Sequence, residues 1–234
     1  MNNRIPNIVF SSQSTVIDWL ILIHNYTPRF IFIAKSEDNK SDFFFELSAF
    51  EVMKYSLGLR FPTIKNVSKK RKFEIEKYIE KPQQVPLVIF PEGTKTDRFG
   101  VLKIRSNLLD NLYKFINEHE NVLIRSEIIQ KQNGDYNTTD VYGFKYLFKL
   151  CQRYSTKIEI YSQDIQNDTF NDKNAEYDKK KFPNIESYLD SILQEYLMEI
   201  NHRNSVSLCS FDHIKFLDYY NKTSADASYV KKDK

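Results

Sequence analysis

An apolar run at residues 85–90 leads directly into the polar stretch Pro91-Glu92-Gly93-Thr94-Lys95, and this junction strongly constrains the possible folds. Short runs of β-branched and aromatic residues bounded by turn residues are typical of buried strands. Glycine permits a tight turn in which backbone N–H groups lie beside a hydroxyl and an ammonium. The pattern predicts a strand with an anion-binding loop at its carboxyl end, where open α/β sheets bind ligands. An ordinary polar turn is the alternative.

Other apolar runs alternate along the chain with segments of helical periodicity. Strands are predicted at residues 8–10, 30–34, 59–64, 122–129 and 156–162, and helices at residues 16–23, 41–55, 70–80, 106–118, 141–154 and 185–200. This alternation predicts an α/β fold with a mixed, mostly parallel sheet flanked by helices.

Two helix starts are predicted from capping residues. Ser14 or Thr15 can cap the first helix, so that Gln13 lies where a strand passes into a helix. The phenylalanine-rich stretch at residues 43–50 is predicted to belong to a longer helix capped by Ser41 or Asp42. Its phenylalanines are expected to pack in the core, because apolar residues at helical spacing usually do.

The length of 234 residues favours a single domain, predicted at residues 1–220, followed by a disordered basic tail at 221–234. The chain has 34 Lys and Arg against 31 Asp and Glu, so its charge does not indicate nucleic acid binding. Clusters of basic residues, Lys69, Lys70, Arg71 and Lys72 in one and Lys179 to Lys181 in the other, are consistent with a solvated face. They also fit an anionic membrane surface, where each nearby cation contributes about 1 kcal/mol.

The two cysteines, Cys151 and Cys209, match no metal-binding spacing, so no metal site is predicted and a reducing compartment is expected. A membrane-spanning helix needs about 20 apolar residues. The longest apolar candidate, at residues 16–23, is too short and contains Asp18. The first residues are polar and Pro6 interrupts them, so no secretory signal is predicted. We therefore expect a soluble or peripheral protein.

The sequence FPEGTK at residues 90–95 closely resembles the FPEGT(R/K) signature of the glycerolipid acyltransferases. That family includes the glycerol-3-phosphate and lysophosphatidic acid acyltransferases and the tafazzins. Upstream, residues 12–18 resemble the Asn-His-x-Ser-x-x-Asp block of the same family. The resemblance covers roughly residues 8–165 and implies a glycerol-3-phosphate acyltransferase-like fold.

In that family the histidine of the block, paired with its aspartate, removes a proton from the acceptor hydroxyl as the hydroxyl attacks an acyl thioester. The resemblance places Asp18 at the aspartate and Gln13 at the histidine. A glutamine amide can hydrogen-bond a hydroxyl but cannot take its proton. His213 and Asp218 repeat the His-x-x-x-x-Asp spacing, but they lie after FPEGTK, whereas the family's block precedes it.

The resemblance also implies residues that bind the acceptor. Four come from the loop, and one of two cations after Gly58 would contact the acceptor phosphate. The implied set is Glu92, Gly93, Thr94, Lys95, and either Arg60 or Lys65.

By resemblance, the activity would be transfer of an acyl group from acyl-CoA to a lysophospholipid or glycerol phosphate, with acyl-CoA as substrate and no cofactor. The location would be the cytosolic face of the endoplasmic reticulum or a lipid droplet, by peripheral contact. Because Gln13 replaces the histidine, a catalytically inactive relative that binds lipid or organises other proteins is the alternative. A third possibility is an α/β domain unrelated to lipids.

Overall fold

The computed structural model describes residues 6–12, 17–34, 43–57, 78, 85–92, 100–102, 104, 112–113, 122–131, 148, 152, 157–165, 185–199 and 204–206. Eight strands lie within these residues: β1 (Ile8–Ser12), β2 (Arg29–Ala34), β3 (Phe43–Leu47), β4 (Leu87–Phe90), β5 (Gly100–Leu102), β6 (Ile124–Lys131), β7 (Ile158–Ile165) and β8 (Asn204–Val206). The same residues contain three helices: α1 (Asp18–Tyr26), α2 (Ala49–Ser56) and α3 (Ile185–Glu199).

Six of the strands form one sheet in the order β3-β2-β4-β1-β6-β7. The four inner strands run parallel to one another, and the two outer strands, β3 and β7, are antiparallel to their neighbours. Strands β5 and β8 form a separate parallel pair. The predicted mixed, mostly parallel α/β sheet is therefore confirmed.

Apolar residues cover both faces of the sheet, because neighbouring residues of a strand point to opposite sides. On one face, which we call the α1 face, Val9 and Val88 pack in the same cluster as Leu22 of α1. On the opposite face, the α3 face, Phe10 and Ile89 cluster with residues of α3. The inner strands are buried on both sides, as is usual for parallel sheets.

The predicted helix at residues 41–55 is wrong in its first half. Phe43–Leu47 is an extended strand, and its backbone pairs antiparallel with β2. The helix α2 begins only at Ala49, where the Ser48 hydroxyl accepts from the Glu51 backbone N–H and the Glu51 carboxylate accepts from the Ser48 N–H. This capping box ends the strand and starts the helix.

The start of the first helix also differs from the prediction. Helix α1 follows Ile17, which makes no side-chain cap, and Ser14 and Thr15 lie outside the described residues. It ends at Tyr26, three residues beyond the predicted end, where Thr27 adopts a left-handed conformation and Pro28 follows. Strand β1 continues through Ser12, two residues beyond the predicted end.

Strands β2, β4, β6 and β7 and helix α3 differ from their predicted limits by a few residues at most, whereas β5 and β8 were not predicted. The predicted strand at 59–64 and the tail at 221–234 lie outside the described residues. Of the helices predicted at 70–80, 106–118 and 141–154, only isolated residues are described. No helix in the described part of the chain is long and apolar enough to cross a membrane.

Replacing Phe32 by alanine tests the packing of the α1 face. The Phe32 ring is fully buried and lies 4.7 Å from Phe90 and 5.0 Å from Tyr55, measured between ring centroids. Because the cavity would be lined by rigid neighbouring strands, we expect the free energy of unfolding to fall by about 3–5 kcal/mol. Denaturant titration of both proteins measures the change.

Phe50→Ala is the matched control, since Phe50 is 59% exposed and contacts the ammonium of Lys54. This variant should lose less than about 1 kcal/mol in free energy of unfolding. Equal losses for the two variants would contradict the core assignment.

Candidate functional site

The carboxyl ends of β1 and β4 lie side by side in the middle of the sheet, because the two strands are parallel and hydrogen-bonded. After β1, the chain crosses the α1 face by way of α1. After β4, it passes Leu112 and Tyr113, which pack on the α3 face. Adjacent parallel strands whose connections leave on opposite faces create a crevice at their carboxyl ends, where ligands bind in open α/β sheets.

A buried hydrogen bond joins the two strand ends at this crevice. The Ser12 hydroxyl at the end of β1 donates to Oε1 of Glu92, in the turn after β4, over 2.5 Å. Ser12 is fully buried and Glu92 is only 2% exposed. A hydrogen bond to a carboxylate contributes about 1.5–3 kcal/mol, and here it ties together segments that are far apart in the chain.

Asp18 is the first residue of α1 and is fully buried. It lies on the same side of the helix as Leu22 and Tyr26, since residues spaced by four share a helix face. Leu22 packs on the α1 face of the sheet. As the first residue of α1, Asp18 also places its negative charge where it interacts favourably with the helix dipole.

Of the residues selected from the sequence, the structure describes only Asp18 and Glu92. Glu92 contacts Ser12, which immediately precedes Gln13. The other selected residues lie outside the described residues: Gln13, Arg60, Lys65, Gly93, Thr94 and Lys95. His24 is exposed in the last turn of α1.

A second polar cluster lies on the α1 face in the first half of β6, where Glu127 pairs with Ser11 near the end of β1. The Tyr26 hydroxyl donates to Oε2 of Glu127, which is 1% exposed. Burial raises the pKa of the Glu127 carboxyl, although the Tyr26 hydrogen bond and the charge of Arg125 act in the opposite direction. Burial and the neighbouring Glu127 raise the pKa of Tyr26 to about 12. This cluster holds a carboxyl group that binds its proton more tightly than an exposed glutamate.

Arg125 connects this cluster to the edge of the sheet. Its guanidinium donates to Asp164 of β7 over 2.6 Å, and this hydrogen bond raises the pKa of Arg125. Because arginine keeps its charge at any ordinary pH, Arg125 supplies a permanent positive charge beside Tyr26 and Glu127.

The arrangement provides carboxylates that accept hydrogen bonds and could accept a proton. Asp18 and Glu92 are buried acids that follow the carboxyl ends of β1 and β4, and Glu127 is a buried acid of β6 that lies beside the last residues of β1. Such groups can bind the hydroxyls of a polyol, and a carboxylate with a raised pKa is a stronger base. Within the described part of the chain, His, Cys, Asp and Glu side chains form no cluster of three that could hold a metal ion.

Sequence reasoning missed Ser12 as the partner of Glu92, and it missed Tyr26 and Glu127 altogether. A signal existed for Glu127, because it is an acidic residue inside the apolar strand sequence IRSEII at residues 124–129. A charged residue inside a strand that is buried on both faces needs a partner or a function.

Ser12→Ala should lower the free energy of unfolding by about 1.5–3 kcal/mol, because it removes a hydrogen bond to a buried carboxylate. Ser126→Ala is the matched control. Ser126 is equally buried, but its hydroxyl donates only to a backbone carbonyl, that of Gln163, over 3.3 Å. Its loss should be about 0.5–1.5 kcal/mol. A double-mutant cycle with Glu92→Gln isolates the Ser12–Glu92 coupling, and additive losses would contradict it.

Glu127 should make stability depend on pH in a definite direction. Its pKa is raised above 4.5 in the folded protein, so folding favours the protonated form. The stability it contributes is present in full below that ordinary value and is lost as pH rises through the folded pKa. Urea unfolding of the native protein and Glu127→Gln from pH 4 to 8 should therefore show the native protein losing stability relative to the variant.

Glu159→Gln is the opposite control, because hydrogen bonds from Tyr161 and Lys157 lower the pKa of Glu159. Relative to this variant, the native protein should lose stability as pH falls. If the difference in free energy of unfolding between the native protein and Glu127→Gln does not change with pH, burial does not raise the pKa of Glu127.

Comparison of the chain with models of protein families and with curated proteins finds no match.

Proposed function

We propose that this protein is an acyltransferase that moves an acyl group from acyl-CoA to a lysophospholipid or glycerol phosphate at a membrane surface. The hydrogen bond between Ser12 and Glu92 carries the proposal. It joins the segment that resembles the family's Asn-His-x-Ser-x-x-Asp block to the segment that resembles FPEGT. The two segments that carry the resemblance are thus adjacent in space. They meet at the carboxyl ends of the parallel strands, where open α/β sheets bind ligands.

In this proposal, the headgroup of the acceptor is bound at the loop that follows β4. Glu92 accepts a hydrogen bond from an acceptor hydroxyl, while Gly93, Thr94 and Lys95 bind the phosphate. Backbone N–H groups, a hydroxyl and an ammonium are suitable donors to phosphate oxygens. Arg60 or Lys65 adds a further positive charge.

Asp18 and Gln13 act at the reacting hydroxyl. Asp18 is fully buried at the start of α1, and a buried carboxylate orients a hydrogen-bond donor strongly. Gln13 can hold the acceptor hydroxyl but cannot remove its proton. Catalysis therefore requires a proton acceptor other than Gln13.

Membrane contact is peripheral in this proposal. The basic clusters at residues 69–72 and 179–181 would attract anionic lipid, at the cytosolic face of the endoplasmic reticulum or a lipid droplet. The fold would be that of the glycerol-3-phosphate acyltransferases.

The test is an acyl-CoA transfer assay with glycerol phosphate and a panel of lysophospholipids. We expect turnover by the native protein and at least about a 100-fold lower kcat/KM for Asp18→Asn. Lys95→Ala should raise KM for phosphorylated acceptors more than it lowers kcat, because it removes binding shared by ground and transition states. The control is Glu46→Gln. Glu46 belongs to the outer strand β3, and its carboxylate pairs with Arg29. Absence of turnover by correctly folded native protein would refute the enzymatic proposal.

The alternative is a catalytically inactive relative that binds lipid or organises other proteins, and Gln13 favours it. The variant Gln13→His separates the two functions. Activity that appears only after this substitution identifies a site that has lost its base. Native activity that disappears in Asp18→Asn excludes the inactive alternative.

A further inference from the structure

Ser11 and Glu127 form a pair of buried polar residues that the proposed function does not use. They face each other in the register of the parallel strands β1 and β6, one residue before the end of β1. Both side chains point to the α1 face, since Val9 and Ile129, two residues away on each strand, pack there. Ser11 is fully buried and Glu127 is 1% exposed.

Each member of the pair has a polar atom that is left without a hydrogen bond. Among the described residues, Ser11 Oγ and Glu127 Oε1 are the two buried side-chain atoms that lack a partner. Leaving such groups unsatisfied costs about 1–3 kcal/mol each. A buried polar group that is left unpaired at this cost indicates a missing partner or a chemical role.

The other carboxylate oxygen of Glu127 is held in place. Oε2 accepts the hydrogen bond from Tyr26, so the carboxylate is oriented while Oε1 stays available. Tyr26 belongs to the same helix as Asp18 and the same helix face. The pair is also one residue along β1 from Ser12, which binds Glu92. Ser11 and Glu127 therefore lie beside the end of β1 that carries the candidate site, on the α1 face, whereas the Ser12 side chain points to the opposite face.

We propose that the acceptor hydroxyl binds between Ser11 Oγ and Glu127 Oε1, and that Glu127 is its proton acceptor. This inference rests on the proposed function, which lacks a base because Gln13 replaces the histidine. Burial favours the neutral form of Glu127, so that its carboxylate takes up a proton more readily than an exposed one. Ser11 orients the hydroxyl, and Tyr26 orients the carboxylate.

The reaction step balances without a further reactant. The acceptor O–H bond breaks and its proton passes to Oε1, while the acceptor oxygen bonds to the thioester carbonyl carbon. The C–S bond then breaks, and the leaving thiolate of CoA takes the proton from Glu127. An ester and free CoA thiol are formed, and the carboxylate is regenerated.

The groups that face Glu127 determine how its titration changes in variants. In the described residues these are Tyr26 of α1, Ser11 of β1, Arg125 of β6, and Asp164 of β7 through its ion pair with Arg125. The Tyr26 hydrogen bond lowers the pKa of Glu127, so removing it should move the titration to higher pH.

The first measurement is the pH dependence of acyl transfer. Native kcat should fall as pH falls through the pKa of Glu127, since the carboxylate must be unprotonated. Glu127→Gln should lose about 100-fold or more in kcat. Tyr26→Phe should shift the acid limb to higher pH, which a merely structural role would not do. The control Glu159→Gln, which changes a partly exposed carboxylate of β7, should keep the native rate and profile.

The second measurement needs no turnover. The probes are a short-chain 1-acylglycerol 3-phosphate and the analogue in which the free hydroxyl is replaced by hydrogen. Calorimetry should show that the native protein binds the hydroxyl compound about fivefold or more tightly, since the hydroxyl would pair with two atoms that otherwise have no hydrogen-bond partner. In Ser11→Ala and in Glu127→Gln, the ratio of the affinities for the two compounds should fall towards one. Urea unfolding checks that both variants fold.

The outcomes distinguish this inference from the proposed function. If the native protein is active and Glu127→Gln keeps its rate and acid limb, Glu127 is not the base and the acyltransferase proposal stands. If the native protein is inactive but its hydroxyl preference depends on Ser11 and Glu127, the binding site stands and the enzymatic proposal is wrong. If the native protein shows neither acyl transfer nor a preference for the hydroxyl compound, both the acyltransferase proposal and the Ser11–Glu127 site are refuted.

Discussion

The parallel pairing of β1 with both β4 and β6 is the interaction on which the rest of the structure depends. All five residues of β1 are buried, and the strand lies between two neighbours that run in its own direction. Parallel strands place their carboxyl ends at one edge of a sheet and require crossover connections over its faces. The same pairing therefore sets the positions of α1, the Ser12–Glu92 hydrogen bond and the Ser11–Glu127 pair.

The inner strands and α3 could be predicted from the sequence because their apolar residues follow one clear period. The phenylalanine-rich stretch could not, since Phe43, Phe44 and Phe45 fit a strand and a helix equally well. Tertiary contacts determine that this stretch is a strand. Its backbone pairs with the free edge of β2, and Phe45 packs against Phe32 on the α1 face. The local signal was the capping box formed by Ser48 and Glu51, which marks where the helix begins.

The candidate site was only half visible in the sequence for a related reason. Asp18 and Glu92 belong to short local motifs, which can be recognised without a structure. The pairing of Ser12 with Glu92 spans 80 residues, and that of Tyr26 with Glu127 spans 101. Such contacts follow from strand order and register, and these were not predictable from local periodicity. Once β1 is known to lie between β4 and β6, both contacts become geometrically accessible.

The acids at this end of the sheet reduce stability, which is an argument that they serve a function. Asp18, Glu92 and Glu127 are almost fully buried, and burying a charged group is costly even when it is paired. The same strands place apolar side chains at Phe10, Ile89 and Ile129 nearby. Apolar residues at the acidic positions would satisfy the core at lower cost. Glu92 lies where the topology creates a ligand crevice, Asp18 follows the same end of β1 and Glu127 lies beside it, as expected when local stability is given up for binding or proton transfer.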